Sequence, residues 1–472
     1  MSLVARWPAV EYADAPFFPP ATVPSRVDVR LPDESSLSRR SVGSALVAAA
    51  LSCALVAPGL VVPAYARIAS AALVAFGVAL AVRATASAVV AFAPRSPPTA
   101  PESPLPAATV VVTAYNEAEV LPATVDACAA LDYPDDRLEI VVGYESASTD
   151  GTAAVAEAAA DRDPRIVATE RDGSPGGKAS ATNHALASAS GEIVAVLDAD
   201  QRPEPGALRR AVRWFRDDDV ACVKGRCFGT NPDASPVALC ATVERAVAER
   251  AEFYARDLLG GFALFTGGQA FFRADALTRE GAFDESVLLE DLDMAYRLQR
   301  AGGEIRVDPG IVTRETNPAA IAAWWHQRKR WARGGMQVAR RYLGANLLSG
   351  PPSSLARADF AATLGALLAL PILTLASPLA AIAWGLTPGG RPFGLAALVA
   401  GVVAGPLVAS YLVLAVDARD GRRHERSEYV APLLLWPYFL LQAGAVVAAF
   451  VDEFVVRRTA VYVTSASGSD GE

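Results

Sequence analysis

Ile193-Val194-Ala195-Val196-Leu197-Asp198-Ala199-Asp200 is a short apolar run that stops at two carboxylates. Gly191-Glu192 precede it and Gln201-Arg202-Pro203-Glu204-Pro205 follow. An unbroken apolar run this short, bounded by breakers, predicts a strand buried on both faces. Asp198 and Asp200 then fall at its C-terminal end, where open α/β sheets keep their ligands. Their spacing places both on one face of an extended chain, or around a turn onto one ion. Hard oxygen ligands of this kind suit Mg²⁺ or Mn²⁺ beside a phosphate. For an isolated Asp-x-Asp the plain alternative is a polar turn.

The preceding chain repeats the same grammar. Ala108–Val112 is a second buried-strand signal and ends at Thr113-Ala114-Tyr115-Asn116-Glu117. Leu138–Val142 and Ile166–Ala168 are further short strands. Between them the spacing predicts helices over about 118–131, from Ser148-Thr149-Asp150-Gly151-Thr152 onward, and from Lys178 to about 189. A Ser, Thr or Asp can cap the second of these. Strands alternating with helices imply a parallel, doubly wound α/β sheet. No Gly-x-Gly-x-x-Gly follows the first strand, which disfavours dinucleotide binding. Gly176-Gly177-Lys178 lacks the rest of a Walker loop. Its glycines would let backbone approach a phosphate and Lys178 would add a point charge, or it is simply a loop.

Beyond the Asp198/Asp200 strand, 236–259 reads as a helix whose Glu244, Arg245, Glu249, Arg250 and Glu252 form a solvated face. Ala270–Phe272 is a short strand and Glu304–Asp308 the last. Glu290 and Asp291 open a helix, where acidic residues also serve as ordinary N-terminal charges. Trp324-Trp325-His326-Gln327-Arg328-Lys329-Arg330-Trp331-Ala332-Arg333 is helical, basic and aromatic, as expected at a membrane surface.

The 472 residues are 52% hydrophobic, and the apolar residues are unevenly spread. Long runs occupy Val42–Val62, Ile68–Phe92, Phe360–Leu386, Phe393–Val416 and Tyr429–Val451. Each is long enough to cross a bilayer at about 20 residues per span. The expected organisation is a disordered tail (1–38), two transmembrane helices (39–93), a linker (94–107), a soluble domain (108–316), interfacial helices (317–350), three more spans (351–456) and a second tail (457–472). Arg39, Arg40, Arg95 and the Arg419–Arg426 cluster place the domain on the cytoplasmic side of the cell membrane. Arg67, Arg457 and Arg458 run against that rule, and Arg83 interrupts the second span. The net charge of −8 gives no electrostatic footprint for nucleic acid. The five cysteines are scattered and read as reduced, buried small side chains.

Six elements now stand in order: Tyr115-Asn116-Glu117, Ser148-Thr149-Asp150-Gly151-Thr152, Gly177-Lys178, Asp198-x-Asp200, Glu290-Asp291 and Gln327-x-x-Arg330-Trp331. Over about 108–345 the chain resembles the family 2 inverting glycosyltransferases, in particular the membrane-embedded branch of cellulose, chitin and hyaluronan synthases. The resemblance implies a GT-A-type, Rossmann-like nucleotide-sugar domain inserted between transmembrane helices. It implies that Tyr115, Glu117, Lys178 and Asp198 bind the nucleotide sugar, with a UDP-sugar favoured. Asp200, with Asp198, would hold Mg²⁺ or Mn²⁺. Asp291, beside Glu290, would be the general base. Gln327, Arg330 and Trp331 would hold the acceptor and diphosphate near the membrane lipid. One departure concerns Gly143-Tyr144-Glu145-Ser146-Ala147, which is one residue longer than the family's usual run and lacks its Asp. Glu145 stands in its place.

The chemistry is coherent with these residues. A sugar on a nucleoside diphosphate departs with two negative phosphates, which a divalent ion and cations stabilise. The attacking hydroxyl must lose a proton, which a carboxylate accepts best when its pKa approaches working pH. One base with no second nucleophilic carboxylate fits direct displacement with inversion. The acceptor is expected to be a growing polysaccharide or a lipid-linked glycan; the alternative is a single addition to polyprenyl phosphate or a lipid-linked oligosaccharide. Nucleotidyl transfer and a non-catalytic nucleotide-sugar sensor are the rival classes. The first has no need of Glu290-Asp291, and an intact carboxylate set argues against the second.

Overall fold

The computed structural model describes residues 28–30, 46, 49–50, 52–99, 104–344, 350–385, 403–457 and 461–463. Ten strands occur among them. β1 (Asp28–Arg30) and β10 (Val461–Val463) pair in parallel, so the two expected tails meet in a small ribbon. The other eight are β2 (Ala108–Ala114), β3 (Leu138–Glu145), β4 (Ile166–Arg171), β5 (Ile193–Asp198), β6 (Arg202–Pro203), β7 (Val220–Gly229), β8 (Ala270–Arg273) and β9 (Glu304–Glu315). They form one sheet in the order β4-β3-β2-β5-β8-β7-β9-β6.

The β-branched runs sit at the centre of this sheet and are covered on both sides. Val111, Val141, Val194 and Val196 face one core together with the helix Lys178–Leu186. Val110, Val112, Ile140, Val142, Ala195 and Leu197 face the other, against the helices Leu121–Ala129 and Thr152–Arg162. This alternation is the two-residue period of a strand. Burying each of the Val, Ile and Leu side chains contributes about 1.5–3 kcal/mol. Gly143 is required by close packing, because a Cβ there would come within 2.7 Å of the Ala185 Cβ.

Strands β2 to β5 are parallel, as the alternating pattern predicts. The remainder is not: β8 runs antiparallel to both β5 and β7, and β6 antiparallel to β9, so the sheet is mixed. Strand β7 escaped the sequence reading because it carries Lys224, Gly225 and Arg226. Both cations are buried in pairs: Lys224 Nζ lies 3.3 Å from Glu249, and Arg226 meets Asp417 at 2.5 and 2.7 Å. For the same reason the solvated face expected along 236–259 is not one. Glu249 and Arg250 are buried, and Arg245 pairs with Glu315 at 2.7 Å. A buried charge is tolerated only with a partner, and those partners lie far away in sequence.

Among the described residues two helices are long and apolar enough to cross a membrane, Pro63–Val90 and Ala431–Val455. The run Val42–Val62 is described in part, with Ser52–Val61 helical. Phe360–Leu386 falls almost wholly within the helix Ser354–Gly385. Residues 393–402 of the run Phe393–Val416 lie outside the described residues, and most of its remainder belongs to the helix Gly405–Arg419. Arg83 does pack against protein: it pairs with Glu252 at 3.4 Å and Asp359 at 3.0 Å. Four cysteines are buried, whereas Cys53 is exposed. The helices Ile321–Tyr342 and Ser354–Gly385 share a core with the sheet through Val338, Ala339, Phe360 and Leu364. The predicted interfacial and membrane segments therefore form part of the wall around the sheet's C-terminal edge.

Candidate active site

Register builds the site. Thr113 of β2 pairs with Gly143 of β3 on one side and Asp198 of β5 on the other. The segments that follow therefore leave one sheet edge together: Tyr115–Glu117 after β2, Glu145 at the end of β3, and Asp198–Asp200 after β5. The Tyr115–Glu117 loop is fixed by the Ser148–Thr152 segment. Asn116 takes a left-handed conformation (φ 55°), and its side-chain oxygen accepts the Thr149 N–H at 2.7 Å. The Glu117 N–H donates to Thr152 Oγ1 at 2.9 Å and the Ala118 N–H to Asp150 at 2.9 Å. This motif thus braces the loop that carries Tyr115 and Glu117.

A cavity of about 910 Å³ opens at this edge, and all eleven predicted site residues line it. Tyr115, Glu117, Glu145, Lys178, Asp198 and Asp200 come from the sheet side. Glu290 and Asp291 come from the start of the helix Glu290–Arg300. Gln327, Arg330 and Trp331 come from the helix Ile321–Tyr342. Lys178 is ion-paired with Asp198. Glu145 is 2% exposed; burial raises its pKa, partly offset by Arg171, which pairs with it at 2.7 Å. Burial and the negative charges of Glu315, Asp198 and Glu117 drive the Asp200 carboxyl well above its usual range.

Asp291 is held by its carboxylate. Oδ2 accepts the Gly267 N–H at 2.5 Å and Oδ1 accepts the Leu292 N–H at 2.7 Å. These bonds and Lys178 favour the charged form, yet burial outweighs them and raises the pKa. Burial, followed by the Asp291 charge, pushes Glu290 up to about 7. Asp293 is a different matter. It stands two residues on in the same acidic stretch but does not line the cavity, being bound to Arg297 at 2.7 Å, Arg341 at 2.9 Å and the Tyr342 hydroxyl at 2.7 Å. A helix turns about 100° per residue, so positions 291 and 293 cannot share a face.

Three residues that support this site were not read as site residues from the sequence. Glu315 lines the cavity because β9 continues seven residues past the predicted end at Asp308. Ile311-Val312-Thr313 is the signal that could have extended it. Arg245 lines the same wall and holds Glu315, while Gln201 bridges Asp198 at 3.3 Å and Glu315 at 2.8 Å. Burial raises Glu315, but Arg245 and its other donors outweigh this and leave it at about 2. The folded pKa is depressed, so this stabilisation is present above the ordinary carboxylate range and is lost as pH falls toward 2. Arg245→Met is expected to cost about 3–5 kcal/mol at neutral pH, the usual penalty for leaving a buried charge unpaired. Thermal unfolding at pH 7 tests this, and an unchanged midpoint would refute it.

The mixed sheet, with a carboxylate pair and a cation at its C-terminal edge, defines a GT-A-like α/β fold. Residues 106–334 match the family model "Glycosyltransferase like family 2", and the chain carries a family 2 glycosyltransferase domain. It is 31% identical over 249 residues to a beta-monoglucosyldiacylglycerol synthase of Synechocystis, covering 51% of this chain and 49% of that protein. It is 28% identical over 233 residues to a poly-beta-1,6-N-acetyl-D-glucosamine synthase of Staphylococcus epidermidis, covering 49% of this chain and 55% of that one. The chain spans about half the length of the curated relatives it matches. Among solved structures it is similar to the mannosyltransferase PcManGT from Pyrobaculum calidifontis in complex with GDP-Man and Mn²⁺. The TM-score is 0.54 at 26% identity, over 82% of this chain and 100% of that one.

Proposed function

We propose that this chain transfers a sugar from a nucleoside-diphosphate donor to an acceptor hydroxyl, with inversion at the anomeric carbon. The carrying observation is that Asp291, its carboxyl raised by burial and gripped by two backbone N–H groups, shares one cavity with Lys178 and the Asp198/Asp200 pair. The similarity to a mannosyltransferase complexed with GDP-Man and Mn²⁺ supports the reading.

Among the described residues no three His, Cys, Asp or Glu side chains converge as a ready metal-ligand set. Asp200 nevertheless fits a divalent ion, because the surrounding carboxylates leave an excess of negative charge there. Two carboxylates plus diphosphate oxygens is the habit of Mg²⁺. Asp200 and Asp198 would hold Mg²⁺ or Mn²⁺, which when bound neutralises charge on the departing diphosphate. Lys178 adds a cation on the sheet side. Arg330 acts electrostatically on both Glu290 and Asp291 from the helix above. Tyr115, Glu117 and Glu145 line the nucleoside end. Asp291 takes the proton of the acceptor hydroxyl as its oxygen bonds to the anomeric carbon and the bond to phosphate breaks. Gln327 and Trp331 line the acceptor side. The expected setting is a multi-pass protein of the cell membrane with this domain in the cytoplasm, an orientation the arginine distribution favours.

A screen of UDP- and GDP-sugars tests the reading, using purified full-length protein with Mg²⁺ or Mn²⁺ and membrane lipid extract. One or more donors should be consumed in a metal-dependent way. No donor turnover and no nucleoside-diphosphate binding would refute it.

A further inference from the structure

The part of the cavity wall contributed by two long apolar helices has a different character. It is formed by Thr363 and Leu367 on the helix Ser354–Gly385 and by Gln442 and Val446 on the helix Ala431–Phe450. Both helices belong to runs whose length and composition suit a bilayer. Among the described residues these two helices give the cavity no charge and no aromatic ring on which a sugar could stack. A glycan chain presents ring faces as well as hydroxyls, and this wall has no ring to meet them; the aromatic on the acceptor side, Trp331, stands on the helix Ile321–Tyr342.

The Thr363 hydroxyl donates to the Asp359 carbonyl at 2.8 Å, whereas the Gln442 Oε1 is buried and has no hydrogen-bond partner among the described residues. An amide oxygen taken from water without a donor costs free energy, and a hydroxyl arriving in the cavity would offset that cost. The same cavity runs from Gln442 to Asp291. A polar head reaching the base and an apolar body against Leu367 and Val446 is the occupant that satisfies both ends.

We propose that the acceptor is a membrane amphiphile, a lipid with a free hydroxyl in its headgroup, and that Gln442, Leu367 and Val446 form its subsite. The inference rests on the transferase reading and names the acceptor class for that same cavity. The lipid O–H bonds to the anomeric carbon, its proton passes to the Asp291 carboxylate, and the nucleoside diphosphate leaves with the electron pair of the broken bond. Gln442 orients the head by accepting a hydrogen bond from it. Leu367 and Val446 exclude water around the body.

The test uses full-length protein in nanodiscs of hydroxyl-bearing lipid, a radiolabelled nucleotide sugar, and partition of the label between organic and aqueous phases. The label is expected in the organic phase. Leu367→Trp fills the apolar wall and should lower lipid product at least about tenfold, with nucleoside-diphosphate affinity unchanged. Gln442→Leu should raise the KM for lipid about tenfold, the loss of one ordinary hydrogen bond, and affect kcat less. It also removes an unpaired polar atom, so its unfolding temperature should not fall; this variant carries the test if Leu367→Trp does not fold. Label accumulating as a water-soluble polymer, or lipid product unaffected by both substitutions, would overturn the proposal and leave the transferase reading standing. A wild type that neither binds nor consumes any donor would remove that reading as well.

Discussion

Asp291→Asn is expected to lower sugar transfer by about 10²–10⁴-fold, the usual worth of general-base catalysis, while nucleoside-diphosphate affinity changes little. Asn is nearly isosteric with Asp but cannot take the proton of the acceptor. The geometry sharpens the contrast with a mere helix cap. Both Asp291 oxygens accept backbone N–H groups, from Gly267 at 2.5 Å and from Leu292 at 2.7 Å. An Asn carboxamide has one oxygen, so one of those donors loses its partner, at a cost of about 1–3 kcal/mol. Replacing the buried charge by a neutral amide offsets part of that cost, so the unfolding temperature should change little beside the large fall in turnover. The pH profile gives a second readout. Burial raises the pKa of Asp291, and the deprotonated form is the one that acts. Wild-type turnover should climb with pH through that raised value, and the variant should lose this limb. Transfer rate, donor affinity and pH profile, measured on one preparation, decide the matter. Near-normal turnover would sink the assignment, and so would a loss confined to donor binding.

Asp200→Ala should separate binding from stability in the opposite sense. The carboxyl is driven well above its usual range by burial, then by Glu315, Asp198 and Glu117. A raised carboxylate pKa favours the folded state at low pH and weakens it as pH rises through the folded value. Removing the group should thus raise the unfolding temperature of the metal-free protein at neutral pH. It should also reduce Mn²⁺-dependent donor affinity by at least about tenfold, because a divalent ion at a diphosphate contributes several kcal/mol. Titration of a nucleoside diphosphate with and without Mn²⁺, beside thermal unfolding without metal, gives both numbers. Unchanged affinity and unchanged metal dependence would show that Asp200 holds no ion. A lower unfolding temperature would show that its charge is compensated in the free protein.

The match over residues 106–334 establishes the domain family. The relatives' printed names include both a glycolipid synthase and a polysaccharide synthase. Sequence similarity of this extent therefore leaves the acceptor open, and the cavity wall of Leu367, Gln442 and Val446 is where the two classes would differ most.

The sequence by itself determined the parallel half of the sheet and the order of the site segments. Buried β-branched runs such as Val110–Val112 and Ile193–Leu197 have a local signature, and their C-terminal ends mark the ligand edge whatever follows. The eleven predicted site residues line one cavity because each lies at or just beyond a locally legible element. Charged strand β7, the antiparallel β8 and the long β9 were decided only in three dimensions. Lys224 and Arg226 are tolerable inside a sheet only because Glu249 and Asp417 reach them from 25 and 191 residues away. No local window carries that information. The same holds for Glu315 and Arg245 behind the carboxylates, and for Asp293, which a linear reading cannot tell from Asp291. Pairing cost, helix phase and strand register are properties of the assembled chain, and they decide which acid faces the cavity and which is locked behind it.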